Sequence, residues 1–118
     1  MNSLTLAYLG DAIYEFYIRK YLISKKIVKV NLLQKEAVKY VSAKNQAKFL
    51  TSMIDNDFFT EDELDIIKRA RNHKSHSSKS TDIITYKHST ALEALIGHLY
   101  LENNKTRIDE IMKYITEE

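Results

Sequence analysis

Apolar residues recur at helical spacing along much of this 118-residue chain. Positions i, i+3, i+4 and i+7 share one face of an α-helix, so this spacing is typical of an amphipathic helix that buries that face. Proline is absent and only two glycines are present, so the turn residues of an all-β protein are missing. The pattern therefore predicts an all-α fold. The clearest examples are Leu6, Leu9, Ile13, Phe16 and Tyr17 in one segment, and Leu92, Leu95, Ile96 and Leu99 in another.

Helix starts are indicated by side chains that accept hydrogen bonds from free backbone N–H groups. The spacing of a capping box occurs in three pairs, Asn31 with Gln34, Thr60 with Glu63 and Thr90 with Glu93. Caps and periodicity together predict a helical bundle of six helices, near residues 3–24, 32–40, 43–55, 61–71, 89–103 and 106–116. Between the fourth and fifth helices, residues 72–87 are predicted to form an irregular basic loop.

The composition limits the chemistry that is open to the chain. Its length fits one compact domain over residues 1–118. Cysteine is absent, which excludes disulfides, thiolate metal sites and a thiol nucleophile. No apolar run approaches the roughly 20 residues that a membrane span needs, and no signal peptide is recognisable. We therefore expect a single soluble domain in the cytoplasm, with no membrane partner.

The small net charge of +2 conceals strong segregation along the chain. Residues 19–48 carry a net charge of +8, residues 55–66 contain six acids and no base, and residues 67–88 carry +5. Two basic blocks favour binding to a polyanion, because neutralising its phosphates releases condensed counterions. A solvated, lysine-rich helix surface explains the first block equally well. The second block falls in the predicted loop, and loops more often carry function.

The two glycines lie inside strongly apolar helices, where glycine costs about 1 kcal/mol relative to alanine. Their position suggests that the backbones of two helices approach closely. Asp11 follows Gly10 directly, and Glu93 lies four residues before Gly97 on the same helix face. Carboxylates that converge there would repel unless a proton or cation lies between them, and oxygen ligands suit Mg²⁺. In the alternative interpretation, Glu93 closes a capping box with Thr90 and Asp11 is a polar residue at a helix boundary.

Two segments of the chain read LAYLGDAIYE (Leu6 to Glu15) and HSTALEALIGHLYL (His88 to Leu101). In these segments the chain resembles the ribonuclease III family. The chain looks most like the small bacterial branch of that family, Mini-ribonuclease III. The resemblance covers nearly the whole chain and includes VSAKNQAKFL (Val41 to Leu50), FFTEDEL (Phe58 to Leu64) and the basic stretch Arg69 to Thr90. Both motifs in this order and at this spacing make the resemblance specific.

The resemblance implies an all-helical endonuclease domain that forms a homodimer and cleaves double-stranded RNA with Mg²⁺, or with Mn²⁺ in its place. Cleavage would leave 5′-phosphate and 3′-hydroxyl ends. By position, Asp11 matches the aspartate of the family's LGD signature and Glu93 the glutamate of its EALIG segment, and both are implied to be catalytic metal ligands. Full-length members carry two further acids, at the positions of Ala7 and Thr90. The small branch resembles this chain in having small or hydroxyl residues there, which leaves the number of metal ions open.

Duplex binding is expected from the catalytic domain itself, because residues 1–118 contain no counterpart of the family's double-stranded-RNA-binding domain. The candidate contacts with phosphates and 2′-hydroxyls are Arg69, Arg71, Asn72, Lys74, Lys79 and Lys87. A-form RNA is recognised mainly by backbone shape, so we expect modest sequence selectivity. The substrate that the resemblance implies is the duplex formed by the two ends of the large-subunit (23S) ribosomal RNA precursor. DNA is not an expected partner.

Two other functions remain open at this point. The chain could be a catalytically inactive, ribonuclease III-like RNA-binding or ribosome-associated protein, although the presence of both Asp11 and Glu93 counts against that. It could also be a helical protein-interaction module, which would leave the lysines only a role in solubility. A zinc site is disfavoured, because His73 and His76 have no cysteine or acid pair nearby.

The eight tyrosines suggest stacking on single-stranded RNA as a further alternative. Tyr8, Tyr17 and Tyr100 fall at the spacing of a helix core or of a dimer face. Packing is therefore the favoured role for these three rings.

Overall fold

The computed structural model describes residues 1–73 and 82–117, and all regular structure in these two ranges is α-helical. The six helices are α1 (Ser3–Ser24), α2 (Val30–Val41), α3 (Ala43–Asp55), α4 (Glu61–Arg71), α5 (Ile83–Leu101) and α6 (Lys105–Glu117). The predicted all-α bundle is confirmed, and the bounds of α1, α3 and α4 agree with those predicted. None of the described helices is long and apolar enough to cross a membrane.

Helix α5 lies at the centre of the fold and packs against α1, α3, α4 and α6. Its middle is buried on every face, as expected for a helix that other helices surround. Between Ser89 and Gly97, Glu93 is the one residue that keeps partial exposure. A carboxylate that interrupts such a run is costly to bury, so its environment calls for an explanation.

The backbones of α1 and α5 touch where the two helices cross. A Cβ atom on Gly10 would overlap the carbonyl oxygen of Glu93 and lie 3.0 Å from the backbone nitrogen of Gly97. A Cβ atom on Gly97 would overlap the carbonyl oxygen of Leu6 and lie 3.2 Å from the nitrogen of Gly10. The prediction that the two glycines permit close approach is therefore confirmed, and each glycine faces the other helix.

The start of α5 differs from the prediction. Asp82 is the N-cap, and its carboxylate accepts hydrogen bonds at 2.9 Å from both the backbone N–H and the hydroxyl of Thr85. The helix therefore begins at Ile83, and the predicted loop over residues 72–87 is wrong for its last five residues. Ile83 and Ile84 are 47% and 66% exposed. An exposed first turn gives no apolar periodicity, which is why the pattern missed it.

One of the three predicted capping boxes is present. The backbone N–H of Glu63 donates to the Thr60 hydroxyl at 3.1 Å, and the Thr60 N–H donates to the Glu63 carboxylate at 3.0 Å. The cap at Asn31 was wrong, because α2 begins after Lys29 without a side-chain cap. The cap at Thr90 was also wrong, because this residue lies buried inside α5. Glu93 therefore does not close a capping box with Thr90.

Candidate active site

The helix crossing brings Asp11 and Glu93 together. Asp11 follows Gly10 on α1 and is exposed, whereas Glu93 belongs to α5 and its own carbonyl group lies against Gly10. The two carboxyl groups are close enough for hydrogen bonding between them to influence the pKa of Glu93. The predicted convergence of two carboxylates distant in sequence is therefore present in the fold.

The electrostatics of this pair favour a positive charge between the two acids. Burial raises the pKa of Glu93, hydrogen bonding and charge repulsion from Asp11 raise it further, and the amide of Gln46 lowers it, with a net result of about 9. A proton is the simplest counter-charge for two adjacent carboxylates, and a divalent cation is the alternative. The Asp11–Glu93 pair thus has the character of a cation site.

A third polar side chain reaches this pair from α3. The amide of Gln46 donates a hydrogen bond from Nε2 to Oε2 of Glu93 at 3.4 Å, and Gln46 is only 2% exposed. The sequence analysis missed this residue. A signal was present, because Gln46 shares the buried face of α3 with Leu50 and Met53, where a polar residue is unusual.

The donor set fits Mg²⁺ better than a softer metal. The site offers two carboxylates and one amide, and Mg²⁺ prefers such oxygen ligands while keeping several waters. Over the described ranges, no group of three or more His, Cys, Asp or Glu side chains is placed to hold a metal. The pair therefore supplies at most a few protein ligands, which suits a cation that also coordinates water and substrate phosphate.

Ala7 and Thr90 stand where full-length members of the family carry two further acids, and both residues are buried. Ala7 and Thr90 are 7% and 6% exposed and lie on the two helices that cross. Each precedes one of the two acids by one helical turn, Ala7 before Asp11 and Thr90 before Glu93. The site thus has fewer carboxylates than the full-length members that the chain resembles, as the sequence analysis anticipated.

The predicted RNA contacts fall into three groups. Arg69 and Arg71 occupy the last turn of α4, and Asn72 caps that helix, so these three lie together. Lys87 was predicted in a loop but belongs to α5, because Asp82 starts that helix earlier. Lys74 and Lys79 lie outside the described residues. The basic carboxyl end of α4 and Lys87 of α5 are therefore the parts of the predicted surface that the structure describes.

A cleft of about 630 Å³ lies between α3 and the first turns of α5. Lys44 and Lys48 line it from α3, and His88 lines it from α5. The two lysines are four residues apart and share a helix face, and neither forms a salt bridge within the described part of the chain. The sequence analysis did not single out these lysines, because only packing against α5 shows that they border a cleft.

Comparison with known proteins identifies the family of the chain. The Ribonuclease III domain family matches residues 4–104. The chain therefore belongs to the ribonuclease III family. Curated relatives named Mini-ribonuclease 3 are 47% identical over 116 residues in Staphylococcus aureus (98% of this chain, 87% of the relative) and 51% identical over 113 residues in Brevibacillus brevis (95% and 83%).

A solved structure shows the same fold. A crystal structure of a protein from Fusobacterium nucleatum superimposes with a TM-score of 0.90 at 34% sequence identity. The match covers 99% of this chain and 94% of that protein. Family membership and fold are thus supported independently, by sequence and by structure.

Proposed function

We propose that this chain is a Mg²⁺-dependent endoribonuclease that cleaves double-stranded RNA, with Asp11 and Glu93 as its catalytic metal ligands. The observation that carries the proposal is the α1–α5 crossing, which brings two mutually repelling carboxyl groups side by side. Membership of the ribonuclease III family supports the same class of reaction. Mn²⁺ is expected to substitute for Mg²⁺, because both suit oxygen ligands.

Each acid has its own part in this site. When bound there, Mg²⁺ supplies Lewis-acid chemistry that promotes attack of water on phosphorus and stabilises charge on the departing 3′ oxygen. Asp11 is exposed and presents its carboxylate where a bulky duplex can approach. Glu93 is partly buried and would hold the cation in its ionised form, because carboxyl ligands bind metals deprotonated. The products carry 5′-phosphate and 3′-hydroxyl ends.

The substrate binds through basic surfaces of the catalytic domain, which spans residues 1–118. The carboxyl end of α4, with Arg69 and Arg71, is one such surface, and the α3–α5 cleft with Lys44 and Lys48 is another. Both suit the phosphate backbone of a duplex rather than its bases. The proposed substrate is the duplex at the ends of the large-subunit ribosomal RNA precursor, which implies a cytoplasmic location.

The enzyme acts as a homodimer in this proposal. Tyr8 is 85% exposed on α1, three residues before Asp11, and is therefore not a core residue of one chain. Phe16 is 61% exposed on the same helix. Large apolar side chains left exposed in this way are typical of an interface. A two-fold dimer would present two sites to one duplex, each cutting one strand, and sedimentation equilibrium measures this oligomeric state.

Conservative variants of the two acids test the catalytic assignment. Asp11→Asn and Glu93→Gln each remove a carboxyl group that could bind the cation while keeping the shape, so cleavage of a labelled RNA duplex in Mg²⁺ is expected to fall by more than about 100-fold. Binding of the duplex in the presence of chelator is expected to persist. Glu15→Gln is the matched control, because Glu15 lies one turn further along α1 in an exposed ion pair.

Four outcomes separate this proposal from its rivals. Metal-dependent cutting by the wild type that both acid variants lose supports the nuclease. Full activity in either acid variant contradicts the assignment. Duplex binding without any metal-dependent cutting by the wild type would instead indicate the inactive RNA-binding protein, and neither binding nor cutting would indicate a protein-interaction module.

A further inference from the structure

Gln46 occupies a position where an apolar side chain would pack better. It lies on the buried face of α3 and is 2% exposed. Burying an amide costs free energy unless hydrogen bonds compensate it, so a buried glutamine on an apolar face calls for a reason beyond packing. Other buried polar residues have partners that serve the fold, since Glu63 pairs with Arg107 and Ser89 donates to the carbonyl of Tyr86.

The side chain of Gln46 bonds to Glu93. The hydrogen bond from Nε2 to Oε2 is the only one that the Gln46 side chain makes within residues 1–73 and 82–117. At 3.4 Å it is long. Hydrogen bonds between catalytic groups are often long in the free enzyme and tighten in the reacting complex. The bond engages Oε2 of Glu93, the carboxyl group that also interacts with Asp11.

A neutral donor suits this position for an electrostatic reason. An amide N–H favours the ionised form of Glu93 and fixes its orientation, yet adds no positive charge that would repel a cation. A lysine would neutralise Glu93, and an acid would add a further repelling carboxylate. Tyr14 is also near Glu93, and burial together with the charge of Glu93 raises the pKa of its hydroxyl. That hydroxyl donates its hydrogen bond to the carbonyl of Tyr40 at 2.6 Å instead of to Glu93.

We propose that Gln46 is a positioning residue, which holds the carboxylate of Glu93 in the orientation that binds the divalent cation. The inference rests on the proposed function, because it presupposes that Glu93 is a metal ligand. Groups that hydrogen-bond to metal ligands typically change metal affinity or activity by about 10–100-fold when they are removed. Gln46 therefore sets the metal concentration at which the enzyme works.

The test measures metal binding without RNA and without turnover. Gln46→Leu removes the amide at similar volume, and the dissociation constant for Mn²⁺, measured by electron paramagnetic resonance, is expected to rise at least about 10-fold. The Mg²⁺ concentration for half-maximal cleavage is expected to rise in parallel, while kcat at saturating Mg²⁺ largely recovers. Gln34→Leu is the matched control, because Gln34 is exposed on α2.

A purely structural role predicts different results. Gln46→Leu would then bind Mn²⁺ as tightly as the wild type, and any loss of cleavage would persist at saturating metal; either result overturns the inference. The metal-free Gln46→Leu protein should unfold no more readily than the wild type, since a buried amide has been removed. If that variant does not fold, Gln46→Met is measured in its place. A wild type that binds no Mn²⁺ would overturn the proposed function itself.

Discussion

The missing Cβ atom of Gly10 determines how closely α1 approaches α5. The space that a side chain would occupy is filled by the carbonyl group of Glu93, so the backbone of Glu93 is fixed by a glycine on another helix. In the same way, the carbonyl group of Leu6 fills the space that a side chain on Gly97 would occupy. Such contacts between rigid backbone atoms cannot relax as the end of a flexible side chain can. Helix packing and site geometry therefore depend on the same two residues.

We predict that Gly10→Ala destabilises the protein, although alanine is the better helix former. Helix propensity alone would favour alanine by about 1 kcal/mol. Overlap with the Glu93 carbonyl forces the helices apart, and overpacking of this kind costs up to about 3 kcal/mol or more. Urea unfolding measures the difference. Ala12→Gly, at an exposed position of the same helix, measures the propensity effect alone. Equal or greater stability of Gly10→Ala would show that the two helices do not touch there.

The residues of the site differ in how far sequence could predict them. Asp11 and Glu93 could be predicted because each lies near a glycine inside a helix, where glycine is unfavourable. Asp11 is next to Gly10, and Glu93 is one turn before Gly97. Gln46 could not be assigned a role, since its partner is 47 residues away along the chain and only the packing of α3 on α5 joins them. The sequence pattern indicates that a polar residue is buried, but it does not indicate what that residue contacts.

Helices α1, α3 and α4 could be predicted from the sequence to the residue, whereas the start of α5 could not. The predicted helices have one face in the core, which gives them a regular apolar period. The first turn of α5 is exposed and depends on the Asp82 cap, whose signal was weaker than the capping-box spacing at Thr90. Thr90 is buried instead of capping, because it lies in the middle of α5, which packs on the neighbouring helices. Tertiary packing thus overrode a local signal.

The contact between α4 and α6 depends on a nearly buried ion pair. Arg107 of α6 donates from Nε and a terminal guanidinium nitrogen to both carboxylate oxygens of Glu63 at 2.8 Å, and it also donates to the carbonyl of Phe58 at 2.7 Å. The side chains of Arg107 and Glu63 are 17% and 8% exposed. A planar, two-pronged pairing of this kind is stronger than a single contact between exposed charges.

We predict that Glu63 makes the fold sensitive to acid. Burial raises the pKa of Glu63, but hydrogen bonds from Arg107 and Thr60 outweigh it and hold the pKa below its ordinary value of 4.5. The unfolded chain therefore binds this proton more readily, so stability is lost as pH falls from 4.5 through the lower folded pKa. Glu63→Gln should lower stability at neutral pH and flatten its acid dependence in urea unfolding. Glu61→Gln, exposed in the same turn, is the control, and an unflattened curve for Glu63→Gln would contradict the prediction.

Across the whole molecule, some of the charge segregation serves the fold and some does not. Helix α4 has Glu61, Asp62 and Glu63 in its first turn and Lys68, Arg69 and Arg71 in its last, an arrangement that complements the helix dipole. Part of the acidic block and part of the second basic block are thus explained without any ligand. Lys44 and Lys48 have no such explanation, because Lys44 lies in the first turn of α3, where the dipole disfavours positive charge, and Lys48 lies one turn further on.

The cleft lysines give a prediction that separates specific RNA binding from net charge. Replacing Lys44 and Lys48 together by alanine is expected to weaken binding to an RNA duplex and to lower the dependence of log K on log salt by about one for each phosphate that is no longer neutralised. Replacing Lys35 and Lys39 removes the same charge at the same spacing on α2, away from the cleft. If the two double variants bind the duplex with equally reduced affinity, the cleft is not a binding surface and the lysines act only through overall charge. If only the first variant binds more weakly, the duplex passes over the helix that carries Gln46, beside Asp11 and Glu93.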